Sequence, residues 1–292
     1  MFRKTTSQNS RAYILVYAVL FITVLSGIIL LAGSASRQEV ARTIGRDHLL
    51  KARILARNLV NERIARILQF HFSPVTEDPS HLLCFTPVSG QQDGFDYTVI
   101  SGDTAGKLNM NSANASMLYV FCSPFCADDT QTFIDSLFDF RDSDDLLRES
   151  GAEQAFYMQQ GRPCLPLNRN LLSPCELKAV NGMRPGAFYR DNMLFGGLGS
   201  FFTAFNPRNT LAPDCIPLDI LERLGAPAVD GGLEAKAVPD GMRGYLRREK
   251  TGAYEIIVYI GSDRISKSTY WVMQIDEAKR SYKLIYTKDR YL

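Results

Sequence analysis

Residues 12–33 read AYILVYAVLFITVLSGIILLAG, an uncharged run in which only Thr23, Ser26 and Gly27 interrupt the apolar side chains. At about 1.5 Å of rise per residue a helix of this length covers roughly 33 Å, enough to cross the hydrocarbon core of a bilayer. The residues beyond the run matter as much. The first proline is Pro74, and Gly45 is the one glycine between Gly33 and Gly90. These residues predict one long helix, with its first third in the membrane and the rest projecting into an aqueous compartment. Residues 1–11 are then a leader, 12–33 the transmembrane part and 34–72 the remainder of the helix.

The 292 residues carry a net charge of +2, so no bulk electrostatic signal points to nucleic acid. Basic residues cluster just past the anchor, where Arg37, Arg42, Arg46, Lys51, Arg53 and Arg57 outnumber Glu39 and Asp47. Arg3, Lys4 and Arg11 precede it, so the positive-inside count is near a tie. The short leader and the large downstream body favour an internal amino terminus with the body exported. A cleaved signal peptide would use Gly33-Ser34-Ala35-Ser36, but the apolar run is too long for one and the helical pattern continues through it. The six cysteines, at 84, 122, 126, 164, 175 and 215, fit an oxidising compartment. Cys122/Cys126 and Cys164/Cys175 are the expected pairs because the chain between them is short. Buried small hydrophobes, or half a zinc site at Cys122-x3-Cys126, are the competing readings.

Past the anchor, Ala41, Ile44, His48, Leu49, Ala52, Leu55, Ala56 and Leu59 recur at helical spacing on one face. Beyond Val60 the apolar positions Ile64, Ile67 and Leu68 drift round the helix. Residues 72–87 read as loop, and 94–101 (GFDYTVIS) as a strand. From 112 to about 199 the texture is of short helices. Ser112 is an expected cap for one reaching Cys122, Asp128 for one reaching Arg141, and Ser173 for a helix stopped at Gly182. Residues 209–225 repeat the pattern of cap, proline, helix and glycine. Segments 254–260, 269–275 and 282–287 switch to period two and predict a three-stranded antiparallel meander. The order is one long helix, one strand, a helical block and three strands. The early strand would complete a sheet with the late ones, the sheet would pack on the helix stripe, and the block is an insertion. This is an α+β chain: 73–111 the first part of the sheet region, 112–240 the inserted helical domain, and 241–292 the closing antiparallel strands.

Asp142-x-Asp144 lies on an irregular stretch with Glu149 and Glu153 nearby. Calcium takes six to eight oxygens, which loops supply readily, although the spacing is not that of an EF-hand. A solvated acidic turn is the plain alternative. No histidine, serine or cysteine set suggests a nucleophile, and nothing pairs the carboxylates with one. A non-enzymatic chain is the expectation.

The motifs Gly102-Asp103-x-x-Gly106-Lys107-x-Asn109-x-Asn111, Phe140-Arg141-Asp142-Ser143-Asp144-Asp145 leading to Gly151-Ala152-Glu153, Glu176-Leu177-x-x-Val180-x-Gly182-Met183, and residues 206–221 occur in this order. With the anchor helix and the closing strands, they make the chain resemble the minor pseudopilin K family of bacterial type II secretion, which is type IV pilin-like. The resemblance implies a pilin-like helix-plus-sheet body with a large helical insertion. It implies a single-pass protein of the inner membrane with its body in the periplasm, at the pseudopilus tip beside minor pseudopilins I and J. It implies structural calcium held by Asp139, Asp142, Asp144 and Glu153, with Asp145 and Glu149 as substitutes. The chain departs from the family pattern at Asn9-Ser10-Arg11-Ala12, where prepilin peptidase would cut after a glycine. The alternative class is a type IV pilus minor pilin acting in assembly, adhesion or DNA uptake.

Overall fold

A computed structural model describes residues 7–72, 85–126, 129–188, 198–217, 220–221, 240–247, 250–262 and 265–291. The chain divides into two compact units, residues 1–55 and 56–292. In the first, helix α1 (Ser7–Phe72) begins inside the expected leader and runs unbroken through the apolar stretch. It is long and apolar enough to cross a membrane, and its large hydrophobic residues from Val16 to Leu31 are exposed. Further along, Ile44 and Leu49 are exposed too, so the expected stripe is not covered there.

In the second unit the stripe is covered. Ala56, Leu59, Val60, Ile64 and Ile67 are buried, and their spacing of three and four keeps them on one helix face. The drift expected beyond Val60 does not occur, because Ile64 and Ile67 continue the row that starts at Ala56 and Val60. The helix end is tied to the turn between the last two strands. His71 Nε2 stands 3.6 Å from Glu277, and the Arg280 guanidinium lies over the Phe72 ring.

The sheet has five antiparallel strands in the order β1 (Val88–Gln92), β2 (Phe95–Asp103), β5 (Ala253–Ser262), β6 (Ile265–Asp276) and β7 (Ser281–Tyr291). The expected strand 94–101 is β2, and the expected meander is β5 to β7. β1 is a strand that the polar run VSGQQ concealed. It turns into β2 through Asp93 and Gly94, both at positive φ (53° and 78°), a two-residue hairpin connection that Asp-Gly favours. The central strand, β5, is fully buried on the face of Ile256, Val258 and Ile260 and half-buried on the face of Ile257 and Tyr259. Val99 pairs with Val258 on one face and Ile100 with Ile257 on the other, which is why β5 reads as an almost continuous apolar run.

The chain leaves the sheet at Asp103 and returns at Tyr254, and these two residues are cross-strand partners. Everything between is inserted at one corner. The insertion holds a short parallel pair, β3 (Leu108–Asn109) with β4 (Phe202–Thr203). Among the described residues its helices are α2 (Ala115–Cys126), α3 (Thr130–Arg141), α4 (Gln154–Gln159), α5 (Pro185–Phe188), α6 (Leu198–Phe201) and α7 (Asp240–Arg243). They enclose a core of their own, with ring pairs Phe121–Phe201, Phe133–Phe202 and Phe140–Tyr157 at centroid distances of 5.7, 6.1 and 5.8 Å. Each such ring contributes about 1.5–3 kcal/mol when fully buried.

Several expected boundaries moved. Asn114, not Ser112, caps α2, its Oδ1 accepting from the Met117 amide at 2.8 Å, the third helical position. α2 continues past Cys122 to Cys126. Asp129 precedes α3 as its N-terminal cap position; Asp128 lies outside the described residues. Ser173 does cap, accepting from Cys175 N, but the element is a six-residue 3-10 helix, Pro174–Ala179. Of the expected helix in 209–225 the described residues show a 3-10 turn, Pro213–Cys215, and helical Ile220 and Leu221.

The expected disulfides are not formed. Cys122, Cys126, Cys164 and Cys175 are free thiols; Cys84 lies outside the described residues. Cys122 and Cys126 are one turn apart on the same helix, which holds their Cβ atoms about 5–6 Å apart. A disulfide needs about 3.5–4.5 Å. Burial pushes both thiols up, Cys126 to about 11, so they behave as small core hydrophobes.

Candidate functional site

Two constellations stand out, and each uses a motif legible in the sequence. The first joins the insertion to the sheet. Asp103 ends β2 with its carboxylate turned back on the chain. Oδ1 accepts from Ala105 N and Thr251 N at 2.8 and 3.2 Å, and Oδ2 from Gly252 N at 3.2 Å. Gly106 lies against the carbonyl of Cys215, where a Cβ would sit 1.8 Å from the oxygen. Lys107 Nζ donates to Glu255 Oε2 at 2.6 Å, with both side chains almost fully buried, and Thr203 Oγ1 donates to the other oxygen of Glu255. The Lys107 ammonium also stands 4.1 Å from the centre of the Phe85 ring. Asn109 donates to the Asn206 carbonyl, and Asn206 donates back to the Lys107 carbonyl at 2.9 Å. Asn111 meets Leu171 twice at 2.8 Å, its Nδ2 donating to the carbonyl and its Oδ1 accepting from the amide. The glycine- and asparagine-rich motif is therefore a joint, not a phosphate loop.

The second constellation is the acidic one. Asp135 and Asp139 lie one turn apart on α3 and face the loop that leads to α4. Their carboxylates accept its amides, Ser150 N to Asp135 Oδ2 at 3.2 Å and Arg148 N to Asp139 Oδ2 at 3.3 Å. Asp139 is fully buried, and the loop closes over it at Gly151, where a Cβ would fall 1.9 Å from Asp139 Oδ2. Glu153, at the start of α4, is 8% exposed. Four carboxylate oxygens here are buried without a hydrogen bond: Oδ1 of Asp139, Oδ1 of Asp142, and both oxygens of Glu153. The Gln154 amide lies near enough to Glu153 to favour its charged form but closes no hydrogen bond. Burial lifts the carboxyl pKa of Glu153, and the charges of Asp139, Asp142 and Asp145 raise it further. Burial is also the first cause for Asp139 and Asp142, with Asp142 acting on Asp139 and Asp144 on Asp142.

Of the residues the sequence singled out, the structure brings Asp139, Asp142 and Glu153 together. Asp144 sits at the rim, exposed, its Oδ1 accepting from Leu146 N at 2.9 Å. Asp145 and Glu149 are exposed. Among the described residues, no three His, Cys, Asp or Glu side chains already stand as a ligand set. The chemistry of the three converging acids nonetheless suits a hard cation, which would neutralise charge and occupy the unbonded oxygens. Sequence reasoning missed Arg148, whose Nε is 3.4 Å from Asp139 Oδ1 and whose guanidinium lies 4.6 Å from the Phe138 ring centre. It also missed the Lys107–Glu255 pair. An arginine in an acidic loop gives no signal of its own, and Glu255 is separated from Lys107 by the whole insertion.

An apolar N-terminal helix, an antiparallel sheet and a helical block spliced into one sheet corner make a pilin-like fold. Residues 122–190, inside that block, match the family model for the type II secretion system (T2SS), protein K. The fold matches a chain in the crystal structure of the GspK-GspI-GspJ complex from the enterotoxigenic Escherichia coli type 2 secretion system. The TM-score is 0.61 at 15% identity, covering 85% of this chain and 99% of that one. No curated protein matches by sequence. The family match over residues 122–190 and the fold agree with the resemblance read from the sequence.

Proposed function

We propose that this protein is a non-enzymatic minor pseudopilin of a bacterial type II secretion system, forming or initiating the pseudopilus tip for protein export across the outer membrane. The observation that carries this is the position of the protein K match. It falls on the domain inserted between cross-strand partners of the sheet, the part that sets this chain apart from a plain helix-plus-sheet pilin. α1 holds the protein in the inner membrane as a single span, and the body occupies the periplasm. The partners are pseudopilins of the I and J kind. Cross-linking from the full chain in its native membrane should trap such neighbours, and deletion of the gene should block export of secreted proteins. Capture of type IV pilus subunits in place of pseudopilins, with export intact, would overturn the reading.

We propose further that Asp139, Asp142 and Glu153 hold a structural calcium ion, with Asp144 completing the set from the rim. The ion would supply positive charge to oxygens that lack hydrogen-bond donors, and would pin the loop to α3 and α4. Calcium at about a hundred times its dissociation constant stabilises the native state by about 2.7 kcal/mol. The melting temperature should therefore rise with calcium in the intact protein. The rise should vanish in Glu153→Gln, while an unchanged rise would exclude Glu153 as a ligand.

A further inference from the structure

We infer that Arg148 is a built-in counter-cation of the acidic cluster, competing with the metal and setting how tightly the site takes calcium. The inference rests on the calcium reading above and assigns a role to a residue outside the ligand set.

Charge is the first consideration. Asp139 is fully buried, and one of its oxygens makes no hydrogen bond. A buried carboxylate without compensation is costly, so a positive group must stand near it or the acid must hold its proton. The positive group nearest that oxygen is the Arg148 guanidinium, with Nε 3.4 Å from the same Oδ1. The approach is that of an ion pair and not a closed hydrogen bond, so the pairing is Coulombic and easily released. Arg148 is also half exposed, so its side chain can swing into water without breaking the core.

Its backbone cannot follow. The Arg148 amide donates to Asp139 Oδ2, and its carbonyl accepts from Gly151 N at 3.1 Å. The side chain thus pivots about a fixed Cα. The guanidinium already lies over the Phe138 ring while it pairs with Asp139, and Arg141 lies over the same ring, at 4.6 and 4.4 Å. Arg141 is committed elsewhere, donating to the Met110 carbonyl, so it cannot take over at Asp139. A calcium ion reaching Asp139 Oδ1 meets a like charge in its place. Binding must therefore displace the guanidinium, and the work of displacement is subtracted from the affinity.

Calorimetric calcium titration of the full chain in detergent tests this, with melting temperature as a second readout. Arg148→Gln should bind calcium more tightly by at least roughly fivefold, because a unit charge beside the ion is removed. The same variant, stripped of calcium, should melt lower than the parent. Arg148→Lys keeps the charge and should stay close to the parent in both. Equal or weaker binding by Arg148→Gln, with the parent's near-ultraviolet circular dichroism retained, would overturn the proposal. Equal shifts in Arg148→Gln and Arg148→Lys would do the same, since they would trace the effect to shape. If the parent takes no calcium but Arg148→Gln does, the competition is supported in its strongest form. If neither takes calcium, the metal reading fails and this inference falls with it.

Discussion

Gly151 shows how closely the acidic loop is fitted. Its missing side chain leaves room for Asp139 Oδ2, and a methyl there would have to push a buried carboxylate or the backbone aside. Gly151→Ala should cost about 1–3 kcal/mol by overpacking, read as a lower midpoint in chemical denaturation. The three converging acids set a pH dependence of unusual sign. Their folded pKa values lie above the ordinary 3.8 and 4.5, so the folded chain holds protons more tightly than the unfolded one. Their contribution to stability is complete below those ordinary values and is lost as pH rises through the raised folded ones. In calcium-stripped buffer the melting temperature should lose this contribution on going from the carboxylate range toward neutrality. Added calcium should flatten the loss, and a stripped protein with no such slope would contradict it. At this scale the sequence was informative about residue type and poor about partners. Asp142 and Glu153 could be picked out from the residues and Asp139 from the family resemblance, but which neighbours lay bonded or bare depended on a loop with no period.

Among the elements, periodic segments announce themselves and junctions do not. β2 and the meander of β5 to β7 were legible from alternation and β-branched residues. β1 was not, since Val88 is its one apolar residue and the strand forms an exposed edge; the unread signal was the Asp93-Gly94 turn. Ser173 caps as expected, but the cap of α2 was misplaced by two residues where cap-forming side chains crowd together, at Ser112 and Asn114. The joint between insertion and sheet makes its own prediction. Lys107→Met would strand Glu255 in the interior, with the Thr203 hydroxyl and the neighbouring Tyr270 hydroxyl in place of a charge. That should cost about 3–5 kcal/mol. Lys107→Met combined with Glu255→Met removes both charges and should recover much of the loss in the same denaturation experiment. Additive effects of the two substitutions would show that the pair does not act as a unit.

On the scale of the whole molecule, the long apolar helix and the order of elements were legible from the outset, because a long apolar run and a change of period survive any rearrangement of detail. Deleting residues 12–33 removes the segment able to cross a bilayer, so the shortened chain should move from the membrane pellet to the soluble fraction after fractionation, while the intact chain resists alkaline extraction. A shortened chain still retained by membranes would point to a second attachment. The cysteines misled in the opposite way. Short spacing suggested bridges, whereas the helix that carries Cys122 and Cys126 fixes a separation no bridge can span.

The exit at Asp103 and the re-entry at Tyr254 face each other across two neighbouring strands, like the two posts of a doorway. Whatever length of polypeptide is spliced in at that threshold, the pleated layer beneath keeps its hydrogen-bonded ladder and its spacing. A head attached in this way can be exchanged, enlarged or trimmed over generations while the platform that seats it stays the same.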